Sequence, residues 1–105
     1  MAIIPVKIKE IIENYIQKLK NNNFPVQQLF LFGSYSTGRF TEWSDIDLAV
    51  ISEKFEGNRI SDRNKIRRIT LDVSSKLEVI PFNPTEFNNN NPLAKEIIET
   101  GIRII

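Results

Sequence analysis

The chain of 105 residues contains no cysteine and no histidine. It therefore forms no disulfide, offers no thiolate or imidazole ligand to a metal, and lacks the histidine that usually activates a serine or cysteine nucleophile. No apolar run approaches the roughly 20 residues that span a bilayer, and the first ten residues lack the basic-then-apolar order of a signal peptide. We expect a cytoplasmic protein with no membrane partner, whose chemistry uses carboxylates, hydroxyls and bases such as lysine.

Strong charge of either sign is also missing, since the formal net charge is only +1. A polyanion would have to be bound locally, so nucleic acid is not expected as the primary partner. With 41% hydrophobic and 26% charged residues, the chain has the size and composition of a single domain with a modest core, and we assign residues 1–105 to one domain.

Hydrophobic spacing along the chain alternates between helical and extended patterns. It predicts helices over residues 8–19, 59–75 and 93–101, strands over 27–32, 45–52 and 77–82, and a short edge strand in the last residues. Ser61 or Asp62 is available as the N-cap of the second helix. This order indicates an α/β or α+β sheet covered by helices, with strand order and direction left open.

The stretch GSYSTGRFTEWSDID follows the first predicted strand directly. Its two glycines almost match a phosphate-binding P-loop, but Arg39 replaces the lysine and Phe40 replaces the hydroxyl residue that holds magnesium. A nucleophile elbow is excluded as well, because Ser34 follows Gly33 directly and no histidine exists to activate it. Neither motif explains the stretch.

The two aspartates at the end of this stretch indicate a different chemistry. On a strand, Asp45 and Asp47 would share one face with Cα atoms about 6.5–7 Å apart. Carboxylates in that arrangement can bind magnesium, and two metal ions can bind both the attacking and the leaving oxygen in nucleotidyl transfer. Gly33 would allow close backbone approach to a phosphate, and the Ser34 hydroxyl could hydrogen-bond it.

The pattern of G-S, ten residues and D-x-D on an apolar strand resembles the signature of the DNA polymerase β nucleotidyltransferase superfamily, and the length is similar to its minimal nucleotidyltransferases. The resemblance implies a small mixed sheet flanked by helices, with Gly33 and Ser34 binding nucleotide. It also implies a third carboxylate on a later strand. Glu78 matches that position, although the family often has aspartate there, while the alternative Asp72 falls within a predicted helix.

In that family, the carboxylates corresponding to Asp45, Asp47 and Glu78 are catalytic and bind the metal. The resemblance therefore implies two Mg²⁺ ions and ATP as the donor of a nucleoside monophosphate to a hydroxyl. Minimal members are often paired with a HEPN-type toxin and silence it by adding AMP to a tyrosine, which makes such a toxin the expected partner. The alternatives are a catalytically inactive module that binds nucleotide or a partner, and a small-molecule nucleotidyltransferase. The oligomeric state stays open.

Two further features have competing interpretations. Trp43 is expected to pack against the sheet from its loop, with stacking near a nucleotide base as the alternative. The helix predicted over 59–75 carries a basic run, which is most simply a solvated surface and alternatively a contact surface for RNA or an acidic protein. The run consists of Arg59, Arg63, Lys65, Arg67 and Arg68.

Overall fold

A computed structural model of the protein describes residues 4–105, so the first three residues of the predicted domain lie outside the described range. Within it the chain forms four helices and four strands. In chain order they are α1 (Val6–Asn21), β1 (Gln28–Phe32), α2 (Ser34–Thr37), β2 (Ile46–Ile51), α3 (Arg59–Val73), β3 (Leu77–Phe82), α4 (Pro92–Thr100) and β4 (Ile102–Arg103).

The strands form one mixed sheet in the order β3-β2-β1-β4. Strand β1 is antiparallel to both β2 and β4, whereas β2 and β3 are parallel. A parallel pair needs a crossover connection, and α3 provides it. The predicted class, a small mixed sheet flanked by helices, is confirmed, and β3 is one edge of that sheet.

Alternation along the central strand β2 divides the core between the two faces of the sheet. Ile46, Leu48 and Val50 pack on the side of α1 and α3, whereas Ala49 and Ile51 belong to the cluster formed with α4. Because both faces are covered, β2 appears in the sequence as a nearly continuous apolar run. Asp47 interrupts that run, and it projects toward the α4 side.

A partly buried hydrogen bond joins α1 and α3 on the other face. The Tyr15 hydroxyl of α1 lies 2.8 Å from the Thr70 hydroxyl of α3, and Thr70 donates to the Ile66 carbonyl. Burial raises the pKa of Tyr15 to about 12, with the Thr70 hydrogen bond acting in the opposite direction. The phenol therefore stays neutral and tethers α1 to α3.

Three local predictions need correction. Asn58 is the N-cap of α3, rather than Ser61 or Asp62, and its side chain accepts the Ser61 N–H at 3.0 Å. The sequence predicts no helix between β1 and β2, yet residues 34–37 form the short helix α2. Trp43 is 84% exposed, so the prediction that it packs against the sheet is wrong.

The position of Trp43 follows from a tight local turn. The backbone N–H of Thr41 donates to the Ser44 hydroxyl at 2.8 Å, and the Trp43 N–H donates to the Thr41 hydroxyl at 3.2 Å. Side chains that close a turn on themselves in this way fix the loop tip without contacts to the core. The indole consequently points into solvent.

Asp62 lies in the first turn of α3 and is 1% exposed. Its two carboxylate oxygens accept the backbone N–H groups of Glu56 and Gly57 at 2.8 and 2.9 Å. The Lys65 ammonium lies 3.4 Å away. Asp62 therefore fastens the β2–α3 connection to the helix.

Among residues 4–105, none of the helices has the length and hydrophobicity required to cross a membrane.

Candidate functional site

A turn bounded by two glycines follows strand β1. Gly33 has φ 73° and ψ −144°, and Gly38, at φ 79°, ends the one-turn helix α2. Both values lie in the region that favours glycine. The Gly33 carbonyl accepts the Ser36 hydroxyl at 2.9 Å and the backbone N–H groups of Ser36 and Thr37 at 3.2 and 3.3 Å. These bonds hold Ser34 at the start of a compact turn.

The Asp47 side chain of β2 also lies directly against Gly33. The antiparallel register pairs Phe32 with Asp47, which brings the residue after Phe32 against the Asp47 side chain. A Cβ atom placed on Gly33 would collide with the Asp47 carboxylate. The missing side chain therefore makes room for the carboxylate, and it joins the glycine-serine turn and the acid into one site.

The predicted acids come from three positions on neighbouring segments. Asp45 lies just before β2, which begins at Ile46, so it precedes the strand instead of belonging to it. Asp47 pairs with Glu78 across the parallel strands β2 and β3. Asp45 and Glu78 are exposed, whereas Asp47 is half-buried. The structure thus aligns Glu78, distant in sequence, with Asp47.

The electrostatics of Asp47 reflect this crowding. Partial burial raises the pKa of the Asp47 carboxyl above its usual value, and the negative charges of Asp45 and Glu78 raise it further. These are the two causes that disfavour an ionised acid, namely desolvation and like charge. A positive charge bound here would relieve both effects.

The donor set fits magnesium chemically, because carboxylate oxygens are the hard ligands that this ion prefers. Within residues 4–105, however, no three side chains of Asp, Glu, His or Cys lie close enough together to hold a metal ion. Asp45 and Glu78 lie close enough to Asp47 to raise its pKa. The three carboxylates do not, however, meet at one point. Their assignment as metal ligands, and that of Gly33 and Ser34 to nucleotide, stays a prediction.

A cavity lies on each side of these acids. One of about 360 Å³ borders Gly33 and is lined by Thr37 of α2 and by Leu93, Glu96, Ile97 and Thr100 of α4. The other, of about 330 Å³, is formed by α3 and residues 77–79 of β3, including Glu78. The sequence did not identify Thr37, because the one-turn helix α2 that holds it was not predicted. Glu96 and Thr100 were not identified because their approach to Gly33 depends on how α4 packs on the sheet.

Comparison with known families decides the assignment. Residues 7–105 match the family described as Polymerase beta, Nucleotidyltransferase. The chain belongs to this family. The match covers nearly the whole protein, includes the glycine-serine turn and all three acids, and confirms the resemblance seen in the sequence. The protein is thus a nucleotidyltransferase domain of the transferase class.

Two curated relatives of this nucleotidyltransferase come from Methanocaldococcus jannaschii, and each is named a putative protein adenylyltransferase. One is 30% identical over 93% of this chain and 71% of its own length. The other is 31% identical over 91% of this chain and 92% of its own length. Because this chain covers most of both relatives, they are of similar length to it, which is consistent with the minimal nucleotidyltransferases.

Two solved structures share the fold of this nucleotidyltransferase. A putative nucleotidyltransferase from Sulfolobus solfataricus superposes with a TM-score of 0.67 at 13% identity, covering 93% of this chain and 79% of that one. A mutant of the toxin-antitoxin MntA-HpeT gives a TM-score of 0.59 at 25% identity, covering 89% of this chain and 70% of the other. The first comparison supports the fold alone, and the second adds a relative from a toxin–antitoxin pair.

Proposed function

We propose that the protein transfers AMP from ATP to a hydroxyl group of a partner protein, a tyrosine of a HEPN-type toxin, and thereby acts as an antitoxin. The observation that carries this proposal is the contact between the side-chain-free Gly33 and the Asp47 carboxylate, with Glu78 aligned on the neighbouring strand. Phosphate-binding and acidic groups are thereby adjacent. Nucleotidyl transfer requires this adjacency, because the reacting phosphate must contact both.

In this mechanism the triphosphate of ATP lies on the turn at Gly33 and Ser34, where the Ser34 hydroxyl and backbone N–H groups donate hydrogen bonds to phosphate oxygens. Asp45, Asp47 and Glu78 are the residues that would hold Mg²⁺. When bound, that ion supplies positive charge against the oxygens of the α-phosphate and of the departing pyrophosphate.

The acceptor hydroxyl approaches from the Glu78 side. The hydroxyl oxygen forms a bond to the α-phosphorus. The bond from that phosphorus to the oxygen bridging the α- and β-phosphates breaks, and pyrophosphate leaves. Glu78 orients the hydroxyl and accepts its proton. Asp47 contributes a half-buried charge whose pKa is raised first by burial and then by the charges of Asp45 and Glu78. The products are an AMP ester of the acceptor and pyrophosphate.

A protein acceptor is supported by the relatives. Both archaeal proteins carry the name of protein adenylyltransferases, and the MntA-HpeT neighbour is a toxin-antitoxin assembly. The HEPN class of the toxin and the tyrosine within it extend this support through the family resemblance. Magnesium, ATP and a location in the cytoplasm belong to the same proposal.

The test is transfer of label from α-³²P-ATP, with Mg²⁺, in a lysate that also expresses the neighbouring gene. We expect a labelled small partner with the wild type and none with Asp45→Asn/Asp47→Asn. Asp72→Asn is the matched control, because it removes an exposed acid on α3 outside the proposed site. Equal labelling by the wild type and the double variant would refute the proposal.

One observation favours a second candidate, a module that binds nucleotide or a partner without catalysis. Across residues 4–105 no three acids converge on a common point, which suits a binding protein that has no metal to position. Calorimetry with ATP and Mg²⁺ separates the candidates when combined with the labelling assay. ATP or partner binding without transfer onto any protein would favour the binding module.

A further inference from the structure

An open groove lies at the sheet edge next to Glu78. It runs between the outward face of α3, at Arg63, Arg67 and Leu71, and residues 77–79 of β3, and it encloses about 330 Å³. We call it the arginine groove. Because β3 is an edge strand, the groove is open to an approaching molecule.

The arginine groove carries positive charge without a partner. Arg63 and Arg67 are exposed and lie one helical turn apart on the same face of α3. In the described part of the chain the salt bridges involve Lys65, with Glu56 and Asp62, and neither of these arginines. Asp72 borders an adjoining hollow, and Glu78 is the acid within the groove. The guanidinium groups are thus available for carboxylates, which they bind in a two-pronged geometry.

Apolar surface adjoins these arginines. Leu71 is 58% exposed and Ile60 is 77% exposed on the same stripe of α3, while Leu77 and Val79 form a buried floor. Arginine together with apolar groups is typical of protein interfaces, whereas a surface for nucleic acid is more uniformly basic.

The order of the sheet places this surface relative to the reaction. The glycine-serine turn follows β1, Asp45 directly precedes β2, Asp47 is the second residue of β2, and Glu78 lies on β3. The groove lies beyond Glu78, on the opposite side of the acids from the proposed phosphate site. Leu77 and Val79 of the groove belong to the α3 face, whereas Asp47 and its register partner Glu78 belong to the α4 face. A molecule docked there would therefore reach the acids around the open edge of the sheet.

We propose that the arginine groove docks the acceptor protein through an acidic segment next to the hydroxyl-bearing residue. Carboxylates of the acceptor pair with Arg63 and Arg67, and its apolar side chains cover Leu71. The inference rests on the proposed function and adds to it the chemical character of the acceptor.

The test measures binding separately from transfer. The ¹⁵N-labelled protein is titrated at low salt with a peptide that has a central tyrosine flanked by glutamates, and with a second peptide flanked by lysines. NMR shifts at residues of α3 and β3 are expected with the glutamate peptide only. Reversing one groove charge in Arg67→Glu should weaken this binding about tenfold, the fold-change expected for roughly 1.4 kcal/mol.

Lys95→Glu is the matched control, since it changes the net charge equally at an exposed position of α4. It should leave the affinity unchanged, and Arg67→Lys should retain part of it. Equal binding of both peptides, no binding of either, or an affinity insensitive to Arg67→Glu would overturn the inference. Tighter binding of a 12-nucleotide RNA at the same residues would overturn it in favour of a nucleic-acid surface.

Transfer to the co-expressed partner distinguishes this inference from the proposed function. If both hold, Arg67→Glu raises KM for the acceptor and leaves kcat nearly unchanged, because docking and chemistry use different groups. Binding of the acidic peptide that depends on Arg67, without transfer to any acceptor, would refute the proposed function and support the groove.

Discussion

Two aspartates of this protein differ in whether the surrounding fold compensates their negative charge. Asp62 is buried almost completely, but it accepts two backbone N–H groups and lies beside Lys65. Asp47 is only half-buried, and its charged neighbours are the acids Asp45 and Glu78; burial raises its pKa, and these like charges raise it further. No hydrogen bond to the Asp47 carboxylate is present among residues 4–105. Within the range that the structure describes, the fold supplies partners for the charge of Asp62 but supplies none for the charge of Asp47.

The difference separates a structural role from a functional one. A buried carboxylate with all its partners stabilises the connection that contains it, because its solvation is replaced by hydrogen bonds and an ammonium ion. A carboxylate surrounded by like charge costs stability and is retained where a ligand supplies the missing positive charge. Substitution of Asp47 should therefore mainly affect activity, whereas substitution of Asp62 should mainly affect stability.

The largest effect is expected on activity, from Asp47→Asn. Loss of this charge should lower the AMP transfer rate by about 10²–10³, a loss typical for removal of a single group that stabilises the transition state. The measurement is transfer of label from α-³²P-ATP, compared with Asp62→Asn at a temperature where both variants are folded. Equal losses of activity would mean that the two acids do not differ in role.

The second effect concerns stability at the compensated acid. Asp62→Ala leaves the N–H groups of Glu56 and Gly57 without acceptors and should lower the free energy of unfolding by about 2–4 kcal/mol. Urea denaturation measures it, and Asp72→Ala, at an exposed position of the same helix, should stay within about 0.5 kcal/mol of the wild type. A matching loss in the control would show that Asp62 has no special role.

A smaller effect isolates the contact between the turn and Asp47. Gly33→Ala and Gly38→Ala both force a positive φ on alanine. Gly38 is in the left-handed α region, which costs alanine about 1–2 kcal/mol, and Gly33, at ψ −144°, is in a region that is nearly restricted to glycine and costs about 1–3 kcal/mol. Only at Gly33 would the new methyl collide with the Asp47 carboxylate, since nothing lies within 4 Å of a Cβ at Gly38. We expect Gly33→Ala to destabilise more than Gly38→Ala and to slow transfer by less than Asp47→Asn does, while Gly38→Ala remains active in the labelling assay.

The smallest effect is a gain in stability from Asp47→Asn. Because the pKa of Asp47 is raised in the folded state, the folded protein binds a proton at Asp47 more tightly than the unfolded chain does. The free energy of unfolding therefore falls as the pH rises past the usual pKa of aspartate. At pH 7 the variant should be more stable by less than about 1 kcal/mol, since solvent screens these partly exposed acids. Thermal unfolding at pH 3 and pH 7 should show the advantage only at pH 7.

Much of the fold could be predicted from local sequence patterns. The long helices and the main strands follow apolar periodicity and lie within a few residues of their predicted positions, and Gly101 does end α4. The order of the strands could not be predicted, because it depends on non-local pairing that no local pattern encodes. The helix α2 was missed because a single turn of four residues has too few positions to display a period.

The candidate site was only partly predictable for the same reason. Gly33, Ser34, Asp45 and Asp47 are close in sequence, so their spacing carried the family resemblance. The contact of Gly33 with Asp47 required the antiparallel register, and the groove beside Glu78 required the position of β3 at the sheet edge. The role of Asp62 was hidden because its partners are backbone N–H groups, which sequence letters do not distinguish.

The parallel pairing of β2 with β3 has a consequence for folding dynamics. Gly33 and Asp47 are joined by a short antiparallel connection, whereas Glu78 arrives only after the α3 crossover has closed a long loop. Since long loops cost more entropy to close, an opening that detaches the edge strand is expected at lower free energy than one that separates β1 from β2. Native-state hydrogen exchange should then find two cooperative units, and the boundary between them would pass through the site, between Asp47 and Glu78.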